Sequence, residues 1–487
     1  MVGKRSRRHA RARQVPLVRS RVASCPLPSP GHLPRPGTRL HEFDAISLYT
    51  VKTSRPANPF PMPQSRAPHS PRLAPALATV IILASILPGA LRVGSGAPLL
   101  PEAVRLLGLA SLLLWAASLL LMLRLRPLEE AAGGLDRLYY LHHVCGSMAY
   151  LCLLAHPVPL FLSASQRILP GISDWPLMAG WAALLLMMAM MLATFLLPLR
   201  YARWKQVHAV SAPAFLLAGL HGIVLAPGGY PLDRFLAAAS LLIGCGSLVV
   251  RYLMEGGRVR SLPYRVEQVM HPTTAVTELV LSPDRLMVRP KPGQFVFVAF
   301  FEGRNFHGCG EFHPFTVVSS DPGSGRFTLL VKALGDCTGH MCDIEPGTRA
   351  RVEGPYGNFL ATIDAARPQL WIAGGIGITP FISAAAAHPP AAEAVDLFYL
   401  SGSPEEAVGL GQLQSLAERR HRMQLHCLYG RHDIATVWQE ITNHVPDAKA
   451  RQIFMCGPPA LVDGLRTTLL QAGVPQANIH SERFDFR

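Results

Sequence analysis

The sequence predicts a multidomain membrane protein: a six-helix transmembrane bundle, then an antiparallel β-barrel, then a doubly wound α/β domain. Three observations carry that prediction. Six apolar runs lie between residues 74 and 254, each near the ~20 residues that a spanning helix needs. From 263 to about 367, short β-type runs follow one another with Gly and Pro between them, as in small barrels. From 369 onward strands and helices alternate, the pattern of a parallel sheet covered on both faces.

The apolar runs cover roughly 74–92, 103–123, 139–162, 175–197, 207–227 and 233–254, the first being interrupted by Pro88. A hydrophobic content of 49% and a mean hydropathy of +0.25 are high because of them. The net charge of +15 does not point to nucleic acid, because its arginines sit at particular chain positions. The first 40 residues are Arg-rich without acids until Glu42. Arg124, Arg126 and Arg137 follow the second run, Arg200, Arg203 and Lys205 the fourth, and Arg251, Arg258 and Arg260 the sixth. The positive-inside rule makes these ends cytoplasmic, together with the N-terminus and everything after residue 260. The nine cysteines form no C-x-x-C, so neither a disulfide framework nor a zinc site is expected from spacing.

Residues 1–72 are rich in Arg, Pro and Ser without apolar periodicity, and are expected to be a disordered tail. An organelle-type leader, or a start at Met62, are the other readings of that stretch. The expected boundaries are 73–256 for the membrane domain, 260–367 for the barrel and 368–487 for the α/β domain. In the barrel the strands are "RVEQVMH", "TELVLS", "QFVFVAF", "FTVVSS", "RFTLLVKAL" and "RARVEGPYG". In the last domain "QLWIAG", "AVDLFYLS" and "RQIFMCG" each lead into a helical run.

The run "YYLHHVCGSMAYLCLLAHPVPLFL" holds His142, His143 and His156, and "KQVHAVSAPAFLLAGLHGI" holds His208 and His221. Titratable rings are costly in hydrocarbon and mark functional sites there. His142 and His156 are 14 residues apart, about 3.9 helical turns, so they share a face roughly 20 Å apart in height. His208 and His221 are 13 apart, about 3.6 turns, and share a face only if the helix bends; Pro213 lies between them and is expected to kink it. Two such helices face to face offer two imidazoles at each of two depths. Two bis-histidine haems are one solution; a proton relay or cavity-lining histidines are the other. His143 reads as a neighbour of the ligand rather than a ligand.

Five motif stretches follow in the cytoplasmic half. "FHPFTVVSS" puts His313, Pro314, Phe315 and Thr316 in a row on one strand, the imidazole, ring and hydroxyl that a flavin can use. "VKALGDCTGHM" carries Lys332, then Gly335 and Thr338 at a helical turn suited to a diphosphate. "WIAGGIGITPFIS" is a strand, a glycine turn and a helix. There Gly374, Gly375 and Gly377 let a pyrophosphate approach, Thr379 is expected to cap the helix, and Pro380 follows. "MCGPPALV" adds Cys456 and Gly457 at another strand end, and "SERFDFR" ends the chain with Phe484 and Phe486.

In this order the motifs resemble those of the ferric reductase and NADPH oxidase superfamily, with a ferredoxin–NADP reductase-type module, from about residue 74 to the end. The resemblance implies that His142 and His208 hold the cytoplasmic-side haem b, and His156 with His221 the outer one. It implies His313 near the FAD diphosphate where relatives often use arginine, Phe315 beside the flavin and Thr316 near its N5 edge. Lys332, Gly335 and Thr338 are implied at the diphosphate. Gly374 to Pro380 are implied at the nicotinamide nucleotide, Cys456 and Gly457 near the nicotinamide, and Phe484 as the C-terminal aromatic, here followed by three residues. The second strand ends "YLSGSPEEA" without the arginine that many NADPH users carry, while Arg431 in "LYGRHD" stands where some relatives bind the 2′-phosphate, so NADPH and NADH both remain open. The implied activity passes electrons from cytoplasmic NAD(P)H through FAD and two haems across the inner or plasma membrane. A ferric chelate is the first choice of acceptor and dioxygen the second. An electron-donating subunit for a protein partner, and a haem-free anchored flavin reductase, are the rival readings.

Overall fold

The structure, a computed structural model, describes residues 73–162, 171, 174–199, 201–226, 231–255, 260–301, 303, 306, 308, 310–335, 337–387, 393–419 and 422–483. The expected tail 1–72 and the aromatic Phe484 lie outside the described residues.

The regular elements described in the membrane half are all helices: α1 (Leu73–Gly94), α2 (Leu99–Leu121), α3 (Arg126–Ala132), α4 (Leu135–Ala155), α5 (Val158–Leu162), α6 (Trp175–Leu196), α7 (Tyr201–His208), α8 (Ser211–Leu225) and α9 (Pro231–Glu255). Among the described residues, six helical segments are long and apolar enough to cross a membrane. Pro88 stays inside α1 rather than ending it. The long histidine run breaks where prolines dictate: α4 stops at Ala155, and Pro157 and Pro159 lie around the start of α5, where a missing N–H is tolerated. The other histidine run breaks before Pro213, not at it. His208 ends α7, a turn covers 209–210, and Pro213 lies in the first turn of α8, where its ring costs no hydrogen bond. That break, and not a proline kink, absorbs the 13-residue spacing.

The barrel strands are β1 (Leu262–Thr273), β2 (Val276–Pro283), β3 (Phe295–Phe300), β4 (His313–Ser320), β5 (Phe327–Lys332) and β6 (Arg349–Tyr356). They close in the order β1-β2-β5-β4-β3-β6. The alternation of Val266, Leu279, Leu281, Val296, Val298, Leu329 and Val352 fills the interior. The last domain is a parallel five-stranded sheet of β7 (Gln369–Gly374), β8 (Val395–Ser401), β9 (Met423–Tyr429), β10 (Gln452–Gly457) and β11 (Ile479–Arg483), in the order β11-β10-β7-β8-β9. Helices α10 (Thr379–Ala387), α11 (Leu410–Arg419), α12 (Ile434–His444) and α13 (Pro459–Gln471) connect the strands. Chain order reverses between β7 and β10, which is where such sheets bind ligands.

The barrel docks on one end of the bundle. Phe295, Phe297 and Tyr356 are buried together with Leu121, Ala132, Leu135 and Leu138. At this seam Arg124 Nη2 donates to Glu353 Oε2 at 2.8 Å, with both side chains almost fully buried, and its guanidinium lies 4.2 Å over the Phe297 ring. Gly357 N–H donates to Glu129 Oε1 at 3.0 Å, and Arg260 Nη2 donates to Arg124 O at 2.9 Å. Burial raises the Glu129 carboxyl above its ordinary range against the pull of the Gly357 N–H. At the opposite end, Arg92 joins α1 to Glu102 of α2 at 2.7 Å and to Asp233 of α9 at 2.9 Å.

Candidate functional site

The bundle brings its histidines together as two pairs. The rings of His142 and His208 have centroids 6.2 Å apart, and those of His156 and His221 6.1 Å apart. His142 lies at the barrel end, one turn after the docked Leu138; His156 lies at the far end of α4. His143 is exposed, 5.5 Å from His142. In three of the four ligand candidates Nδ1 meets a backbone carbonyl. His142 does so at Ser118 O, 3.0 Å, and also at Ser118 Oγ, 2.8 Å. His156 uses Val104 O and His221 uses Pro176 O, each at 2.8 Å. An Nδ1 that donates to a carbonyl carries the ring proton, which leaves Nε2 with its lone pair. His208 differs: its buried Nδ1 has no partner among the described residues, and its ring stacks on Trp204 at 5.0 Å.

Around His156 and His221 lies a cavity of ≈ 730 Å³ lined by Gly108, Leu112, Gly180, Trp181 and, among charged groups, Arg105, Asp174 and Asp233. Both glycines are required by the rings. A Cβ on Gly108 would stand 2.9 Å from His156 Cε1, and one on Gly180 2.5 Å from His221 Nδ1. Neither glycine nor Ser118 carries a motif, so sequence reasoning passed over them; the one signal was a glycine inside each of two apolar runs.

In the barrel, β4 sets His313, Pro314, Phe315 and Thr316 opposite Val298, Phe297, Val296 and Phe295 of β3. Thr316 is buried and its Oγ1 has no partner among the described residues. Lys332 ends β5, and burial lowers its ammonium against the attraction of Glu406. Thr338 opens the expected turn, but its Oγ1 accepts from the N–H groups of Leu334 and Gly335, both at 3.1 Å. Those two donors hold the turn itself.

In the α/β domain the tips of β7 and β10 touch backbone to backbone. A Cβ on Gly377 would lie 2.3 Å from Cys456 O, and one on Gly457 3.1 Å from Gly374 N. Gly375 takes φ +54, which a side chain would strain. Thr379 does not cap α10 as expected. The 3₁₀ turn Gly375–Ile378 runs straight into the helix, so Thr379 is already helical and its hydroxyl donates to Ile376 O at 3.0 Å. Pro380 is buried in the first turn of α10. Cys456 is wholly buried, and burial holds its thiol far above the usual range. Arg431 is exposed just past β9. At the tip of β8 stands an acid instead: Glu406 Oε2 comes within 2.8 Å of where a Gly402 Cβ would be.

The sequence reading missed Glu482. It pairs in register with Cys456, and its Oε1 is 3.8 Å from where a Gly357 Cβ would stand. Its buried Oε2 has no partner among the described residues. Burial, assisted by Asp136 at the start of α4, pushes this carboxyl up to about 8. Its only sequence signal was an acid two positions before an aromatic in "SERFDFR".

Comparison with known proteins matches two stretches of the chain to families. Residues 107–219 match the family described as "Ferric reductase like transmembrane component", and residues 265–360 match "Oxidoreductase FAD-binding domain". The glycine betaine monooxygenase reductase subunit of Pseudomonas aeruginosa is 27% identical over 208 residues, 40% of this chain and 56% of that protein. This chain therefore spans little more than half the length of that relative. NADH-cytochrome b5 reductase 1 of Laccaria bicolor is 25% identical over 242 residues, 46% of this chain and 77% of that protein. Among solved structures, a ferredoxin NADP+ reductase from Neisseria gonorrhoeae with bound FAD and NADP matches at 19% identity. It covers 47% of this chain and 100% of its own, with a TM-score of 0.39.

Proposed function

Because the chain joins a ferric reductase-like transmembrane domain to an FAD-binding oxidoreductase domain in one integral membrane protein, we propose that it carries electrons from NAD(P)H across the membrane. The route runs through FAD and two b-type haems to an acceptor on the far side, ferric chelates first. The domain bounds proposed are 73–256, 260–367 and 368–487, with the N-terminus and the FAD/NAD(P) half cytoplasmic at the inner or plasma membrane.

The observation that carries the haem reading is the pair geometry. Two imidazoles that held one iron between them through bonds of about 2.0 Å would have centroids roughly 6.3 Å apart. Both pairs stand within a few tenths of an ångström of that value, at 6.2 and 6.1 Å. The carbonyl ties at Nδ1 turn Nε2 of His142, His156 and His221 toward ligation, the arrangement metal-binding histidines use. The cavity around the outer pair and the glycines that clear it support the same reading.

Held by the chain, FAD would supply hydride acceptance and single-electron release, and haem would supply single-electron relay. The chain's own residues set that up. Phe315 and Thr316 on β4 flank the flavin, while Lys332 and the turn at Gly335 and Thr338 face its diphosphate. The β7 and β10 tips, Gly374 to Pro380 with Cys456 and Gly457, hold the nicotinamide nucleotide against it. Cys456, kept as a neutral thiol by burial, presents no charge to repel a hydride donor. Glu482, held mostly protonated near neutral pH, can supply or take a proton beside Cys456. Phe484 follows two positions later and is assigned to cover the flavin.

Replacing His208 or His221 with alanine tests the assignment. Each variant is expected to carry one haem where the parent carries two, with flavin content unchanged. An unaltered haem-to-protein ratio in both variants refutes the ligand set.

A further inference from the structure

One cluster of side chains of metal-ligating type stands beside the flavin cradle. Glu311 and His313 stand at the start of β4, and Cys337 belongs to the turn after β5, the strand beside it. Their ligand atoms, one carboxylate oxygen, one imidazole nitrogen and one thiol sulfur, all lie within 4.8 Å of one another, and each residue is half-buried. Tetrahedral zinc binds such ligands at about 2.0–2.3 Å, which sets the ligand atoms roughly 3.3–3.8 Å apart. Rotation of three half-buried side chains covers that difference.

The chemistry is wrong for a diphosphate alone. Anions are held by N–H groups and cationic side chains. Here a carboxylate and a thiol stand beside His313 and next to the turn at Gly335 and Thr338, in the cradle assigned to the FAD diphosphate. A carboxylate there repels the ligand. Lys205 Nζ approaches Glu311 at 3.6 Å, but both are partly exposed, and so loose a pair is weak. A divalent cation removes the conflict: it neutralises Glu311 and supplies the positive charge that arginine provides in related reductases. Imidazole with thiolate selects zinc-class ions over magnesium or calcium, which prefer oxygen ligands.

We propose that Glu311, His313 and Cys337 form a three-ligand site for a zinc-class divalent cation at the flavin diphosphate cradle. Only its role beside the diphosphate rests on the FAD reading; the metal site itself does not.

The test uses the full chain in detergent, purified through a histidine-free tag, stripped with chelator and equilibrated with zinc chloride. Zinc, iron and flavin per chain are then measured after desalting. The parent and Cys342→Ser are expected to hold one zinc per chain more than Cys337→Ser and Glu311→Gln, whose binding weakens at least tenfold. Zinc-edge X-ray absorption is expected to show one sulfur neighbour at about 2.3 Å in the parent and none in Cys337→Ser. A parent without stoichiometric zinc, or zinc in Cys337→Ser and Glu311→Gln equal to that of the parent, overturns the proposal. Failure of the FAD reading has a different signature: no flavin in any sample, with the zinc counts still dividing as stated.

Discussion

Replacing Arg124 with methionine tests the docking seam where it is most sensitive. The substitution keeps an apolar stem over Phe297 but removes the only described cation that pairs with Glu353. Both partners are almost fully buried, so the carboxylate is left with the Tyr356 hydroxyl and no counter-charge. Removing one member of a buried pair costs about 3–5 kcal/mol. If that cost falls on docking, barrel–bundle separation becomes roughly 10²- to 10⁴-fold more frequent. The reporter is the Gly357 N–H, which donates across the seam to Glu129. Its amide exchange is expected to accelerate by the same factor. Glu353→Met in the Arg124→Met background removes the stranded charge as well, and should bring exchange back to within about tenfold of the parent, since apolar replacement of buried pairs is often neutral. Flavin reduction by NAD(P)H should be unaffected in both, because neither residue lies at the β7 and β10 tips. Exchange at Gly357 within threefold of the parent in Arg124→Met, or a double variant no better than the single, refutes the reasoning.

Gly180→Ala forces a methyl to 2.5 Å from His221 Nδ1. Haem per chain should drop toward one, with the signal of the barrel-side haem retained in low-spin resonance spectra. Glu482→Gln should alter the pH dependence of stability. The folded-state value of about 8 lies above the unfolded 4.5, so the folded chain holds the extra proton, and the parent loses stability as pH rises from 4.5 through about 8. The gap in thermal midpoint between Glu482→Gln and parent should therefore widen across that window, and a constant gap counts against the buried neutral carboxyl. Arg431→Ala is expected to weaken NADPH roughly tenfold, as loss of an exposed charged hydrogen bond does, and to leave NADH unchanged. Dissociation constants for the two nucleotides decide it.

What the sequence revealed and what it hid divide by physical scale. Apolar length gave the six spans and period-two runs gave the barrel, because burial in lipid or in a small barrel constrains every residue of an element. The histidines were legible because four titratable rings in hydrocarbon demand a reason. Their tautomer was not, since it depends on the carbonyls of Val104, Pro176 and Ser118, which any residue could supply. Helix breaks were placed a few residues wrong for a similar reason. Proline tolerates the first turn of a helix, so Pro213 marked a start and not a kink. Thr379 was misassigned because a 3₁₀ turn had already fixed its helical dihedrals. Glu129, Arg124, Glu353 and Glu482 were invisible because each draws its role from a residue far away in sequence.

One of those long-range contacts, that of Glu482, reaches the helix that also joins the docking core. The start of α4 gives Leu135 and Leu138 to the docking core and sets Asp136 against Glu482. His142 comes one turn after Leu138, about 6 Å further along the same helix. A rigid helix therefore carries both the contact surface of the flavin barrel and a histidine of the nearer pair. The height of that histidine above the flavin cradle is then set by side-chain packing and not by a linker. It follows that disturbing the seam at Arg124 and disturbing the proposed ligand His208 act on different quantities. The first changes how often the two halves meet while leaving each pair intact; the second empties a pair while leaving the halves docked. A chain joined by a flexible tether could not separate the two effects, because its halves would have no fixed height to lose.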